Sequence, residues 1–307
     1  MRSLILLLAF ATPAAAQQAR APFTIAETGQ GFATIDEAVS EVRDGTATIL
    51  IAPGIYRQCT VQTGGKITFK AIQPGTAIFE NEVCEDKAAF VLRGRGSVVD
   101  GLIFRGYSVS DGNGAGIRIE MGDLTVTNSM FLDSQEGILG GGHETVRHIR
   151  IDRTSFAGLG QCETENCSHA IYLAVDGLVT VTNSRFERGT GGHYVKLRAR
   201  RVDIEGNSFD DSRGTKTNYM IDLSEGGTGI IAGNTFVQGR NKENSSGLIV
   251  VAAEGRTYPS NGLRVEGNTA SMAPGAPGNP AFVADLSKSN IMLSGNQLSG
   301  MRAFERR

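Results

Sequence analysis

Within the eleven residues "GGHYVKLRARR" (191–201) the chain places an imidazole (His193), a phenol (Tyr194), an ammonium (Lys196) and three guanidiniums (Arg198, Arg200, Arg201). A guanidinium stays charged and grips a carboxylate through two parallel hydrogen bonds, whereas imidazole, phenol and amine groups move protons. The chemistry on offer is anion binding beside proton transfer. Alternation makes the segment a β-strand, with Val195 and Leu197 facing a core and Lys196 and Arg198 facing out. Three more segments share that pattern. In "GIRIE" (116–120), "AIYLA" (170–174) and "MIDLS" (220–224) the outward residues are Arg118, Tyr172 and Asp222, and "GILGG" (137–141) puts Leu139 there. Strands lying ~4.8 Å apart would stack Tyr172, Lys196 and Asp222 into a ladder. Glu120, Ala174, Arg198 and Ser224 lie one outward step further on. His169 and His193 precede two of these strands and add imidazoles at the edge of the patch, and Glu254, outward in "LIVVAAE" (248–254), closes one end.

An internal repeat supplies the elements that would hold such a ladder. The pieces "DGLIF" (100–104), "LTVTNSMF" (124–131), "IRIDRTSF" (149–156), "VTVTNSRF" (179–186), "VDIEGNSF" (202–209), "IIAGNTF" (230–236), "LRVEGNTA" (263–270) and "IMLSGNQL" (291–298) end 23 to 34 residues apart, about 28 on average. Most end in Asn-Ser, Asn-Thr or Gly-Asn before an aromatic or apolar residue. That suits a turn residue with left-handed φ followed by an inward anchor, and stacked asparagines at one corner would share side-chain hydrogen bonds. Two or three short strands per unit, without intervening helices, describe an all-β, right-handed parallel β-helix, a solenoid. Its open front end needs a cap. "TIDEAVSEVRDG" (34–45) reads as an amphipathic helix with Thr34 and Glu37 as a capping box and Ile35, Ala38, Val39 and Val42 on one face. Excursions at 158–168, 210–218, 237–246 and 271–280 are long enough to build one binding face.

Residues 1–16, "MRSLILLLAFATPAAA", read as a secretory signal peptide, leaving 17–307 as a single β-helix domain. The apolar run is short for a membrane span and no later one is longer, so the mature chain is expected to be soluble and exported, to the periplasm or the exterior. Losing Arg2 turns 30 basic against 32 acidic residues into 29 against 32, a balance that disfavours nucleic acid as a partner. Four cysteines in an oxidising compartment can pair in three ways; Cys59 with Cys84 and Cys162 with Cys167 is the favoured pairing. Nothing in their spacing suggests a zinc site.

Outward polar residues on a solenoid sheet are ordinarily solvated, and a cross-strand Lys–Asp pair contributes only ~0.2–1 kcal/mol. What lifts the ladder above that reading is Tyr172, Arg198 and His193 on the same face. Arg200 and Arg201 fall near a corner and read as surface charge. Glu163, Glu165 and "ENEVCED" (80–86) read as solvated loops, with a calcium site as the minority alternative.

The coils from about 100 to 296, with the opening "FATIDEAVSEVRDGTATILIAPGIYRQ", resemble the secreted bacterial right-handed parallel β-helix proteins of the pectate lyase-like superfamily. More narrowly, "HAIYLA", "HYVKLRARR" and "NYMIDLSEGGTGIIAGN" are similar to a bacterial subgroup with His-x-x-Tyr, His-x-x-Lys-x-Arg and Tyr-x-Ile-Asp-Leu on successive coils. The superfamily acts on acidic polysaccharides as lyases, hydrolases, esterases or epimerases. The paired-aspartate and Gly-His-Gly motifs of a polygalacturonase, the Asp and Gln motifs of a pectin methylesterase and the Asp-Pro-His-Asp of an alginate epimerase are not found here, which disfavours those three. The resemblance implies a carbohydrate-active enzyme, and the mechanism that best uses the groups on the ladder is β-elimination from a uronate-containing glycan, the reaction of a polysaccharide lyase. Arg198 would neutralise the carboxylate, Lys196 or His193 act as base and Tyr172 as acid, with Asp222 orienting Lys196 or binding a hydroxyl. His169, Arg118, Tyr219 and Glu254 would bind substrate. The partner is then an acidic polysaccharide or oligosaccharide and the protein a monomer, with Ca²⁺ dependence left open. Two alternatives remain: a glycoside hydrolase using Asp222 with Glu225 or Glu254, and a non-catalytic polysaccharide-binding or export scaffold.

Overall fold

The computed structural model describes residues 21–307, so the signal peptide expected at 1–16 lies outside the described residues. The chain winds as a parallel β-helix behind one capping helix. Each coil contributes up to three short strands. One sheet holds Ala115–Ile119, Glu136–Gly141, Ile221–Leu223 and Gly247–Val251; a second holds Asp123–Thr127, His148–Asp152 and Thr228–Ala232; a separate ten-stranded sheet holds Leu102–Arg105, Met130–Leu132 and their successors. Ile171–Thr182 and Val195–Glu205 run through the corner and belong to both of the first two. Pairing between coils is parallel throughout the repeats, whereas the entry strand Phe23–Ile25 pairs antiparallel with Thr46–Ile51.

The repeat-ending aromatics form the spine of the core. Phe104, Phe131, Phe156, Phe186, Phe209 and Phe236 stack with centroids 4.7–5.1 Å apart and planes 4–8° from parallel. That spacing is the coil rise itself, so identical residues one period apart meet face to face.

At the corner after the second sheet one residue is left-handed and the next turns inward, with Asn-Ser and Gly-Asn dividing these two positions differently and Arg153-Thr154 standing in at one coil. The left-handed position is taken by Asn128 (φ 51°), Arg153 (φ 47°), Asn183 (φ 50°), Gly206 (φ 67°), Gly233 (φ 63°) and Gly267 (φ 64°). The residue after it turns inward: Ser129, Thr154, Ser184, then Asn207, Asn234 and Asn268. In the Gly-Asn coils the inward asparagines form a continuous ladder. Asn234 Oδ1 accepts from the Asn207 backbone N–H (2.9 Å) and Nδ2 (3.0 Å), while Asn234 Nδ2 donates to the Ile204 carbonyl (2.9 Å) and Asn268 Oδ1 (3.0 Å). Asn268 repeats the pattern on Asn296. In the Asn-Ser coils the asparagine instead takes the left-handed position and donates outward, Asn128 to Asp100 and Asn183 to Asp152.

The cap is the helix Ile35–Val42. Thr34 and Glu37 form the expected capping box, and Ile35, Ala38, Val39 and Val42 are buried against the first coils. Both expected disulfides are present, Cys59–Cys84 and Cys162–Cys167. No helix among the described residues is long and apolar enough to cross a membrane.

Replacing Asn234 by Ala leaves the buried Asn207 N–H and Ile204 carbonyl without these partners, at ~1–3 kcal/mol per orphaned group. Asn234→Ala is therefore expected to lower unfolding free energy by about 3 kcal/mol or more in urea denaturation, well beyond the effect of Ala at the exposed Thr235 beside it.

Candidate functional site

The strand register sets Arg118 beside Leu139, Leu139 beside Tyr172, Tyr172 beside Lys196, Lys196 beside Asp222 and Asp222 beside Val250. This is the ladder anticipated from alternation. Its polar centre, however, is not a solvated sheet face: Lys196 is 9% exposed and Asp222 2%. Apolar patches flank it, Ala88, Val91, Ala115 and Leu139 on one side and Val250, Ala281 and Ala284 on the other. Between them a cavity of about 470 Å³ is lined by Glu136, His169, Tyr172, His193, Lys196, Arg198 and Glu254, with walls from Asn113, Asn166, Cys167, Asn218 and Glu243. The excursions 158–168, 210–218 and 237–246 thus supply walls. The fourth, 271–280, supplies none.

A second column runs beside the ladder. Glu136, His169, His193 and Tyr219 each stand two residues before the aligned Ile138, Ile171, Val195 and Ile221. From His169 onward the backbone N–H in this column donates to the side chain on the preceding coil: His169 to Glu136 Oε1 (3.2 Å), His193 to His169 Nδ1 (3.0 Å) and Tyr219 to His193 Nδ1 (3.2 Å). The rings follow, His169 on His193 at 4.9 Å and His193 by Tyr219 at 5.3 Å. Because both Nδ1 atoms accept, both imidazoles are neutral with the proton on Nε2. Burial first, then the neighbouring Lys196, pushes His193 down to about 3. Burial, then the stacked His193, holds His169 well below the ordinary histidine range.

Glu136 escaped the sequence reading because its coil carries Leu139 in the ladder and so looked empty. Counting two residues back from the aligned apolar position would have found it. Burial raises its carboxyl well above the usual range, the His169 N–H opposing, and Oε2 has no partner. Asp222 is buried too. Its Oδ2 accepts from Ser224 Oγ (2.7 Å) and faces His193 Nε2 at 3.6 Å, while Oδ1 is unpartnered; burial, against the Ser224 hydrogen bond, raises it to about 6.

The cations are paired differently from expectation. Asp222 bonds to Ser224 and not to Lys196. Instead Glu254 spans both: Lys196 Nζ donates to Oε1 (2.6 Å) and Arg198 Nη2 to Oε2 (2.5 Å). Glu254 therefore lies across the middle of the patch and not at its end. Burial raises its carboxyl, but the hydrogen bonds from Lys196 and Arg198 outweigh that and hold it below the ordinary range. Both cations lie against the Tyr172 ring, at 5.1 and 5.4 Å from its centroid. Arg118 and Tyr219 stand outside the cavity lining. Arg118 Nε is 3.8 Å from Glu120, and the Tyr219 hydroxyl accepts from Asn244 Nδ2 (2.8 Å). Arg200 pairs with exposed Asp176.

Behind the wall, Lys242 and Asp211 form a fully buried ion pair at 2.9 Å. Tyr194 and Thr217 hydroxyls also donate to Asp211, and Lys242 donates to the Asn218 carbonyl, anchoring the excursions to each other. In the 80–86 run, Glu80 binds Arg57 and Arg105, and Glu85 binds Lys87 and Arg93. Among the described residues the one group with metal-ligand spacing is Cys162, Cys167 and Glu243, and its sulfurs are joined in a disulfide.

No protein-family model and no curated protein matches the chain. Solved structures do. The surface adhesin PfbA of Streptococcus pneumoniae superposes with a TM-score of 0.54 over 88% of this chain and 87% of its own, at 11% identity. A PL6 family alginate lyase, AlyGC, superposes with a TM-score of 0.52 over 86% of this chain at 15% identity; the match spans 38% of the lyase. At these identities the likeness defines the class by fold, a parallel β-helix.

Asp222 generates a prediction with a definite sign. Below pH 3.8 the folded and unfolded chains both hold its proton; between 3.8 and about 6 the unfolded chain ionises first, so stability is lost as pH rises. Asp222→Asn keeps an acceptor for Ser224 and cannot ionise. It should match the wild type in acid and exceed it by up to ~3 kcal/mol at neutral pH, read as a gap in Tm that opens across that window.

Proposed function

We propose that the chain cleaves an acidic, uronate-containing polysaccharide by β-elimination. The observation that carries this reading is the seat formed by Lys196 and Arg198, where two cations hold one carboxylate, each by one oxygen, over the Tyr172 ring. Elimination requires withdrawal of charge from the sugar carboxylate so that the C5 proton can leave. The C5–H electron pair then forms the C4–C5 double bond, the C4–O bond breaks, and the departing oxygen takes up a proton. Arg198 is assigned the neutralising role because its charge is permanent and its fork suits a carboxylate.

Lys196 is assigned the base. His193 is less suited, since Nδ1 accepts the Tyr219 N–H and Nε2 already carries a proton directed at Asp222. Lys196 must shed its proton and part from Glu254 before it can accept one. Tyr172 is assigned the acid on the neighbouring coil. Asp222, with His193 and Ser224, braces the floor beneath Lys196. His169 lines the cavity and completes the binding surface. The protein is read as a single exported domain following removal of 1–16, working in the periplasm or outside the cell. Its two disulfides fit an oxidising compartment.

One observation favours the hydrolase alternative: Asp222 sits at about 6 while Glu254 is held low, the separation an acid and a base require. Against it, Asp222 is almost wholly buried.

Purified protein incubated with a panel of polyuronates, with and without Ca²⁺, is expected to generate an unsaturated uronate seen as new ultraviolet absorbance. Lys196→Ala should lower the rate by ~10²–10⁴-fold, and Arg198→Ala should raise KM as well as lower kcat. New reducing ends without absorbance would replace the lyase by the hydrolase. Binding without either product would leave a scaffold.

A further inference from the structure

Glu254 lies on the segment that follows the strand Gly247–Val251. The chain turns at Ala252 (φ 64°), and the Glu254 and Gly255 N–H groups donate to the Ser224 carbonyl at 2.8 and 3.1 Å, with Tyr258 N–H donating to Glu225 at 3.0 Å. The backbone is thereby pinned at the coil of Ser224. The Glu254 side chain reaches back to Lys196, one coil earlier than Asp222, and is 39% exposed where that of Lys196 is 11%. An exposed acid thus reaches onto an almost buried ammonium.

The contact has the form of a bound ligand. One carboxylate oxygen meets the ammonium and the other meets the guanidinium, and nothing else fixes the head group through a hydrogen bond. Arg198 Nε is buried without a partner, with Glu225 Oε1 3.7 Å away. The guanidinium therefore has a donor in reserve that Glu254 does not use.

We propose that Glu254 is an internal competitor for the ligand of this site, a carboxylate seated where a ligand carboxylate binds and exchanged for it on binding. The proposal rests on the reading that the ligand is a uronate. Exchange explains how selectivity would arise. A uronate replaces one carboxylate by another, so both cations remain paired throughout. A neutral sugar that pushed Glu254 aside would strand an ammonium and a guanidinium in a largely desolvated pocket, which is strongly unfavourable. The site then rejects neutral glycans by what they fail to supply.

The test compares wild type with Glu254→Gln, which preserves size and removes the charge. D-galacturonate and D-glucuronate serve as probes and D-galactose as the neutral control, titrated calorimetrically at low ionic strength. Glu254→Gln is expected to tighten uronate binding at least tenfold and to relax the rejection of galactose, whose entry no longer strips a carboxylate from the two cations. Adding Lys196→Ala should cancel the gain. Glu254→Ala, whose smaller side chain cannot reach the cations, should tighten binding in the same direction. Unchanged or weaker uronate binding in both Glu254 variants, each with a wild-type melting profile, overturns the proposal. The polyuronate absorbance assay on the same samples separates this outcome from failure of the lyase reading. Tighter binding without product from any sample upholds the exchange and removes the lyase; product from wild type with no gain in binding removes the exchange and keeps the lyase.

Discussion

Parallel, in-register stacking of one coil on the next is the constraint from which the rest of this structure follows. It makes every residue's neighbour on the next coil the residue one period away. A repeat that conserves its own pattern therefore stacks like on like. Phenylalanine on phenylalanine gives the apolar spine, and asparagine on asparagine gives a corner whose side-chain amides bond to the coils before and after. The same rule acts on titratable groups. Histidine on histidine, both buried and with the His193 and Tyr219 N–H groups directed at the two Nδ1 atoms, makes protonation of either ring costly. The period of the sequence thus sets the electrostatics of the cavity as well as the shape of the core.

The parts legible in the sequence are those the period encodes. The ladder through Arg118, Leu139, Tyr172, Lys196 and Asp222 could be read because each strand carries apolar residues on both sides of the outward position, which fixes parity and register together. The capping box and the left-handed corners were legible for a similar reason: local backbone geometry selects the residue types. Burial of the ladder was not. It depends on excursions whose paths no repeat records, and on the Lys242–Asp211 pair, whose members are 31 residues apart. The partner of Lys196 was hidden for the same reason. Glu254 lies beyond the end of its strand, where alternation stops predicting direction, and its reach across the ladder is set by the turn at Ala252 and the bond to Ser224.

The two columns divide the charge of the site unevenly, and that division bears on ligand binding. In the column of Glu136, His169 and His193 the neutral forms are favoured: burial disfavours the charged form of each, and the acid and the imidazoles shift in opposite directions for that one reason. Formal charge is concentrated instead at Lys196, Arg198 and Glu254, with Glu225 nearby. A neutral column behind a charged seat adds no ion of its own to the seat's field, in a medium that screens poorly. It also presents Nε2–H donors and a carboxyl with an unpartnered oxygen, groups that suit sugar hydroxyls and do not compete for an anion. An arrangement with ionised histidines would have spread positive charge along the groove and blurred where a carboxylate binds. On the proposed reading, keeping them neutral confines anion recognition to one place, the gap bridged by Glu254.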